Sequence, residues 1–155
     1  EESNPDSLKK LLNNGKSMWI NDAYWLAMPF KLKDSGVTLK YTGQDTTQLG
    51  KKAEVLQMTF ENVGDTPENK YLVYIDNENK LISQWSFFVN KTDSVARFVT
   101  PWADYNQYGK ILLSGDRGIA KLSDIDAPDT LDVAIFREFK DVVPLKHSAL
   151  RWLGW

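Results

Sequence analysis

The chain has 155 residues, 42% hydrophobic and 12% aromatic, with 19 basic and 21 acidic side chains and no cysteine. That length suits one domain, residues 1–155, with a single sizeable core. A net charge of -2 supplies no long-range field for nucleic acid, and the missing cysteines exclude disulfides, thiolate nucleophiles and cysteine-bound metals.

The stretch SNPDSLKKLLNNG predicts a short helix within residues 1–16. Ser3 or Asn4 can cap it, Pro5 suits its first turn, and Gly15 suits its exit. Leu8, Leu11 and Leu12 make one apolar stripe, expected to dock on a sheet, with Lys9 and Lys10 outside it. The segment MWINDAYWLAMPFKL, residues 18–32, concentrates aromatic and methionine side chains, and Pro29 is expected to bend it at a sheet rim.

From residue 17 to residue 140 the expectation is antiparallel sheet. VTLKYTG alternates Val37, Leu39 and Tyr41 against polar neighbours, and AEVLQMTFENV alternates Leu56, Met58 and Phe60 against Val55, Gln57 and Thr59. KYLVYIDNENKLISQWSFFVN reads as a hairpin: Tyr71, Val73 and Ile75 alternate before the turn 76–79, and Leu81, Ser83, Trp85, Phe87 and Val89 after it. VARFVTPWADY and GKILLSGD form a further pair, in which Pro101 interrupts the ladder, and IAKLSDI and LDVAIFREF are expected to extend the sheet. The fold class is mainly β (α+β), a curved antiparallel meander or incomplete barrel of ~7–8 strands. A C-terminal amphipathic helical tail, 141–155, carries Leu145, Ala149, Trp152 and Leu153 on one face.

Chemistry-bearing patterns are sparse. His147, the one histidine, lies in the tail, so an imidazole-rich metal site is excluded and a Ser-His-Asp triad would have to recruit it. DNENK begins like a calcium loop but has lysine at the third ligand position, and SGDRG lacks a phosphate-loop lysine. Both read as turns. Asp104, Asp116, Asp124 and Asp126, at strand ends or turns, are the carboxylates a hydrolase would use. No catalytic residue, metal or cofactor is assigned, and no apolar run reaches the roughly 18 residues that span a bilayer. The dominant signal is aromatic: Trp25, Met28, Phe30, Met58, Phe60, Trp85, Phe87, Phe98 and Trp102 either fill a core or line an apolar cavity.

Three blocks, MWINDAYWLAMPFKLKDSGVTLKY, TFENVGDTPENKYLVYIDNENKLISQW and PWADYNQYGKILLS, within residues 17–126, resemble an uncharacterised bacterial lipoprotein family. That family is similar to the lipoprotein-carrier superfamily of the bacterial envelope. The resemblance implies a strongly curved sheet whose concave face holds an acyl chain, lipid or lipoprotein without covalent chemistry. The matching ligand-binding positions are Trp25, Met28, Phe30, Met58, Phe60, Trp85 and Phe87. It also implies an envelope location, periplasmic or at the outer membrane, for a chain that opens EESNPDS and contains no export signal. Family members have further strands before the first block, so a shortened sheet is expected to pair with another copy through its edge or through the tail. The alternative is a structural or interaction module with a filled aromatic core.

Overall fold

The computed structural model describes residues 4–130, together with residues 133 and 137. The expected strand LDVAIFREF, the C-terminal tail and His147 lie wholly or largely outside the described residues. Among the described residues, one helix, α1 (Pro5–Lys31), precedes seven antiparallel strands in two sheets that do not close into a barrel, a mainly-β α+β fold. The chain falls into two compact units, Glu1–Val99 and Thr100–Trp155, each described by itself.

In the first unit, α1 begins where expected. The Asn4 side chain accepts a hydrogen bond from Asp6 N at 3.0 Å, and Pro5 occupies the first turn. It does not end at Gly15. The helix is 27 residues long in all and takes in the aromatic segment, so residues 17–31 are helical and not part of the sheet. Gly15 costs a helix interior about 1 kcal/mol relative to alanine, which the packing of Tyr24, Trp25 and Met28 outweighs. Pro29 lies inside the last turns and does not form a rim bend, and Lys31 pairs with Asp34 at 2.7 Å just past the end.

The sheet runs in chain order, β1 (Val37–Thr46), β2 (Lys52–Phe60), β3 (Lys70–Asp76), β4 (Ile82–Phe88) and β5 (Phe98–Pro101). The β3–β4 hairpin is held by its turn: Asp76 Oδ1 accepts from the amides of Glu78 at 2.8 Å and Asn79 at 3.4 Å, while Lys80 takes a positive φ of 63°. Register places Leu39 beside Met58, Met58 beside Tyr71, and Tyr71 beside Phe87 on one face. The opposite face carries a smaller cluster of Ala53, Val55 and Tyr74 with Leu72 against it. β2 therefore buries side chains on both faces.

The second unit contains the hairpin β6 (Ala103–Tyr108) and β7 (Ile111–Asp116). The expected strand IAKLSDI is reduced to one bridge, Asp116 with Lys121, and a bond from Leu122 N to Gly115 O at 2.8 Å. VARFVTPWADY, read as one strand, is two, because the chain leaves the ladder at Trp102 after Pro101.

Candidate functional site

Six of the seven expected ligand-binding residues meet on the α1-facing side of the first unit's sheet. Met28 and Met58 are fully buried, Trp85 is 1% exposed, Phe60 and Phe87 are buried, and Trp25 is half-buried. Trp25 stands edge-on to Trp85 with centroids 5.3 Å apart and lies near-parallel to Phe98 at 6.0 Å. Phe87 and Phe98 stack at 4.9 Å. Phe30 does not belong to the group. It is 56% exposed on another arc of α1, because the helical period separates it from Met28 where strand alternation would have joined them.

Tyr71, absent from the expected set, is the hub. Its ring meets Trp85 at 5.1 Å, Phe87 at 5.2 Å, Phe60 at 5.9 Å and Tyr24 at 6.1 Å. The signal for it was the alternation of Tyr71, Val73 and Ile75 in the same strand. Tyr24, also missed, is legible only once α1 is extended past Gly15. Burial pushes the Tyr24 phenol up to about 12, with the Asp34 carboxylate adding to the shift. The Tyr71 phenol is pushed up further, again mainly by burial. Rings at these separations are in contact, so these side chains pack α1 against the sheet.

A depression of about 540 Å³ opens to solvent beside this core and is lined by Phe60, Glu61, Asn62, Glu68, Asn90 and Lys91 among others. Phe60 is the one buried aromatic side chain on its wall, and the rest of its lining is mostly polar.

The second unit is organised around Arg117, which the sequence presents only as part of a turn. Its side chain is fully buried, with the guanidinium 3.4 Å from the Trp102 ring centroid. Nη1 donates to Ser114 Oγ at 2.7 Å and Nη2 to the Ser114 carbonyl at 3.0 Å, while Ser114 Oγ donates in turn to the Ala103 carbonyl. Burial lowers the guanidinium to about 10, against Tyr105 and Asp116, which raise it, so it stays charged at neutral pH.

The four aspartates sit in local turn contacts. Asp104 accepts from Asn106 at 3.1 Å, Asp116 from Gly118 N at 2.6 Å, Asp124 from Ser123 at 3.1 Å and Asp126 from Ala127 N at 2.8 Å. Among the described residues no group of three or more histidine, cysteine, aspartate or glutamate side chains is placed to hold a metal ion. Asp76 is bonded within its own turn and to Lys51 at 3.1 Å, which accounts for the calcium-like DNENK. Among the described residues, no helix is long and apolar enough to cross a membrane.

Among the described residues, α1 carries a run of exposed apolar side chains. Every residue from 4 to 19 is exposed, among them Leu8, Leu11 at 67%, Leu12 at 65%, Met18 and Trp19 at 72%. The leucine stripe expected to dock on the sheet faces solvent, because the docked part of α1 lies roughly three to four turns further along, at Tyr24, Trp25 and Met28. No significant match to the chain was found among protein-family models, curated proteins or solved structures.

Proposed function

We propose that the chain is a non-enzymatic interaction module, in which the packed helix and sheet form a scaffold and the projecting half of α1 is the working surface. One observation carries this reading: Leu8, Leu11, Leu12, Met18 and Trp19 form an exposed stripe within about 120° of the helix circumference. An apolar patch on the order of 500 Å² is the size at which a surface marks an interaction site. The test is the double variant Leu11→Glu/Trp19→Glu, measured in dilute solution with a dye that binds apolar surface. A free working surface loses dye binding with little change in melting temperature. A steep fall in melting temperature would place the stripe in the fold and end this reading.

A second reading has one observation in its favour. Trp25 and Met28 of α1 lie on the side of the sheet that carries Met58, Phe60, Trp85 and Phe87, as an envelope carrier of acyl chains or lipoprotein would require. In that case a bound chain replaces contacts that Tyr24 and Trp25 now make with the sheet. Mass spectrometry of the purified protein after delipidation, with titration of a fluorescent fatty acid, tests it. Absence of both co-purified acyl species and a saturable signal excludes it.

A further inference from the structure

We infer that Asn14 is a modification site: its side-chain amide is lost spontaneously to the backbone amide of Gly15, at a rate set by local opening of the exposed half of α1. This goes beyond the interaction-module reading and does not depend on it.

The sequence supplies the reacting pair. Asn14 is the one asparagine in the chain followed by glycine, and every other asparagine precedes a residue whose side chain crowds the next amide nitrogen. The Gly15 nitrogen attacks Asn14 Cγ, its proton leaves with the side-chain nitrogen as ammonia, and a five-membered succinimide joins the two residues. Water then opens the ring at either carbonyl. Attack at the side-chain carbonyl gives aspartate, and attack at the backbone carbonyl gives isoaspartate. Asn14 is exposed and no atom lies within 4 Å of where a Gly15 Cβ would stand, so neither the ring nor the incoming water is obstructed.

The helix is what restrains this chemistry. Inside α1 the Gly15 amide donates to the carbonyl four residues back, which holds it away from the Asn14 carboxamide. Ring closure therefore waits for the helix to open, and three features favour opening at this point. Asn13, Asn14 and Gly15 are weak helix formers in succession. Ring packing begins only at Tyr24 and Trp25, and among the described residues the first side-chain bond from α1 to another segment is Ser17 Oγ to Asp65 at 2.9 Å, between exposed groups. About 12 residues of helix ahead of Ser17 thus stand without tertiary support, a length that is marginal in water. Asn69 and Asn106, by contrast, use their side-chain amides in turn bonds to Thr66 at 2.6 Å and Asp104 at 3.1 Å.

The products alter the surface. Aspartate places a negative charge on the flank of the apolar stripe. Isoaspartate adds a methylene to the backbone, so Leu8, Leu11 and Leu12 lose the helical register that they share with Met18 and Trp19.

Peptide mapping by mass spectrometry of the full chain, sampled through a long incubation at neutral pH, follows the loss of each asparagine amide, and enzymatic methylation counts isoaspartate. The same chain unfolded in urea gives the rate of the unrestrained pair. Asn14 should convert at least about tenfold faster than Asn13 or Asn90, which are also exposed, and Gly15→Ala should remove that advantage. Two further variants keep the reacting pair and change only the helix around it. Asn13→Ala should slow conversion about threefold, and Leu12→Gly should speed it by a similar factor, up to the unfolded rate. An Asn14 that stays intact while the unfolded chain converts, or a rate that ignores both helix variants, overturns the proposal.

Discussion

The indole of Trp85 meets that of Trp25 edge to face, 5.3 Å between centroids and 84° between planes, and this contact joins α1 to the sheet. Trp85 also stacks on Tyr71 at 5.1 Å and is 1% exposed, so its removal opens a void that no single neighbour can close. Trp85→Ala should cost about 3–5 kcal/mol. Phe30→Ala, on the exposed arc of the same helix, should stay within about 0.5 kcal/mol of wild type. Urea unfolding of both variants checks the contrast, and equal losses would contradict the assignment of Trp85 to the core and Phe30 to the surface.

Alkaline pH should loosen the same core. The Tyr24 and Tyr71 phenols both have folded values raised above the ordinary 10.0, by burial first in each case. The stability that neutral packing contributes is complete below the unfolded value and is lost as pH rises through the folded one. Unfolding free energy should be flat on this account up to about pH 10 and fall towards pH 12. Phenolate absorbance should report the ionisation of both tyrosines together with loss of near-ultraviolet circular dichroism. Tyr71→Phe, which keeps the ring and removes the proton, should soften the fall.

Strands were legible in the sequence and the helix was only half so. Alternation in Leu56, Met58 and Phe60, and in Tyr71 and Val73, is a direct readout of a pleated surface, and the 76–79 turn has the residues such a turn demands. Gly15 misdirects, because a glycine after an apolar stripe marks a helix exit unless packing further along compensates, and that packing is non-local. The same error put Phe30 with Met28. Arg117 was illegible for a different reason: an arginine in a Gly-Asp-Arg-Gly turn is normally solvated, and only the fold brings Trp102 beneath it.

Asp76 gives an acid-side counterpart to the tyrosines. Its carboxyl is held below the ordinary value, chiefly by the amide of Glu78, with Lys51 and the amide of Asn79 contributing. Stability from a depressed carboxyl is present above the unfolded value and is lost as pH falls through the folded one. Asp76→Asn keeps an acceptor for the turn but not the charge. Its deficit against wild type should therefore be measurable at neutral pH and shrink to nothing below the usual aspartate range. A deficit that persists in acid would mean that the turn geometry, not the charge, is what the variant damages.

Gly36 is fixed by both conformation and space. Its φ is 79°, and a Cβ there would stand 2.5 Å from Val63 Cγ1 and 2.9 Å from the Glu61 carbonyl. The contact cannot be relieved cheaply, since the Gly36 carbonyl accepts from Glu61 N at 2.8 Å and ties the two segments together. Gly36→Ala should destabilise by about 1–3 kcal/mol, whereas Gly43→Ala, with a φ of 107° but nothing within 4 Å, meets the backbone penalty alone. Thermal melts of the two variants separate strain from collision.

Arg117 is held by a stack and by its fork of donors, so charge alone cannot replace it. Arg117→Lys keeps the positive charge but loses the planar face over Trp102 and the simultaneous reach to Ser114 Oγ and its carbonyl. A desolvated cation–π contact alone is worth about 2 kcal/mol, so the lysine variant should lose at least that much. Arg117→Met, of similar length and uncharged, removes the cost of burying the charge and should recover part of the loss. Trp102 fluorescence during unfolding follows the second unit only in a background where the other tryptophans are silent, so a site-specific fluorinated Trp102 observed by NMR is the measurement. A lysine variant as stable as wild type would show that the buried charge, and not the planar fork, holds this unit together.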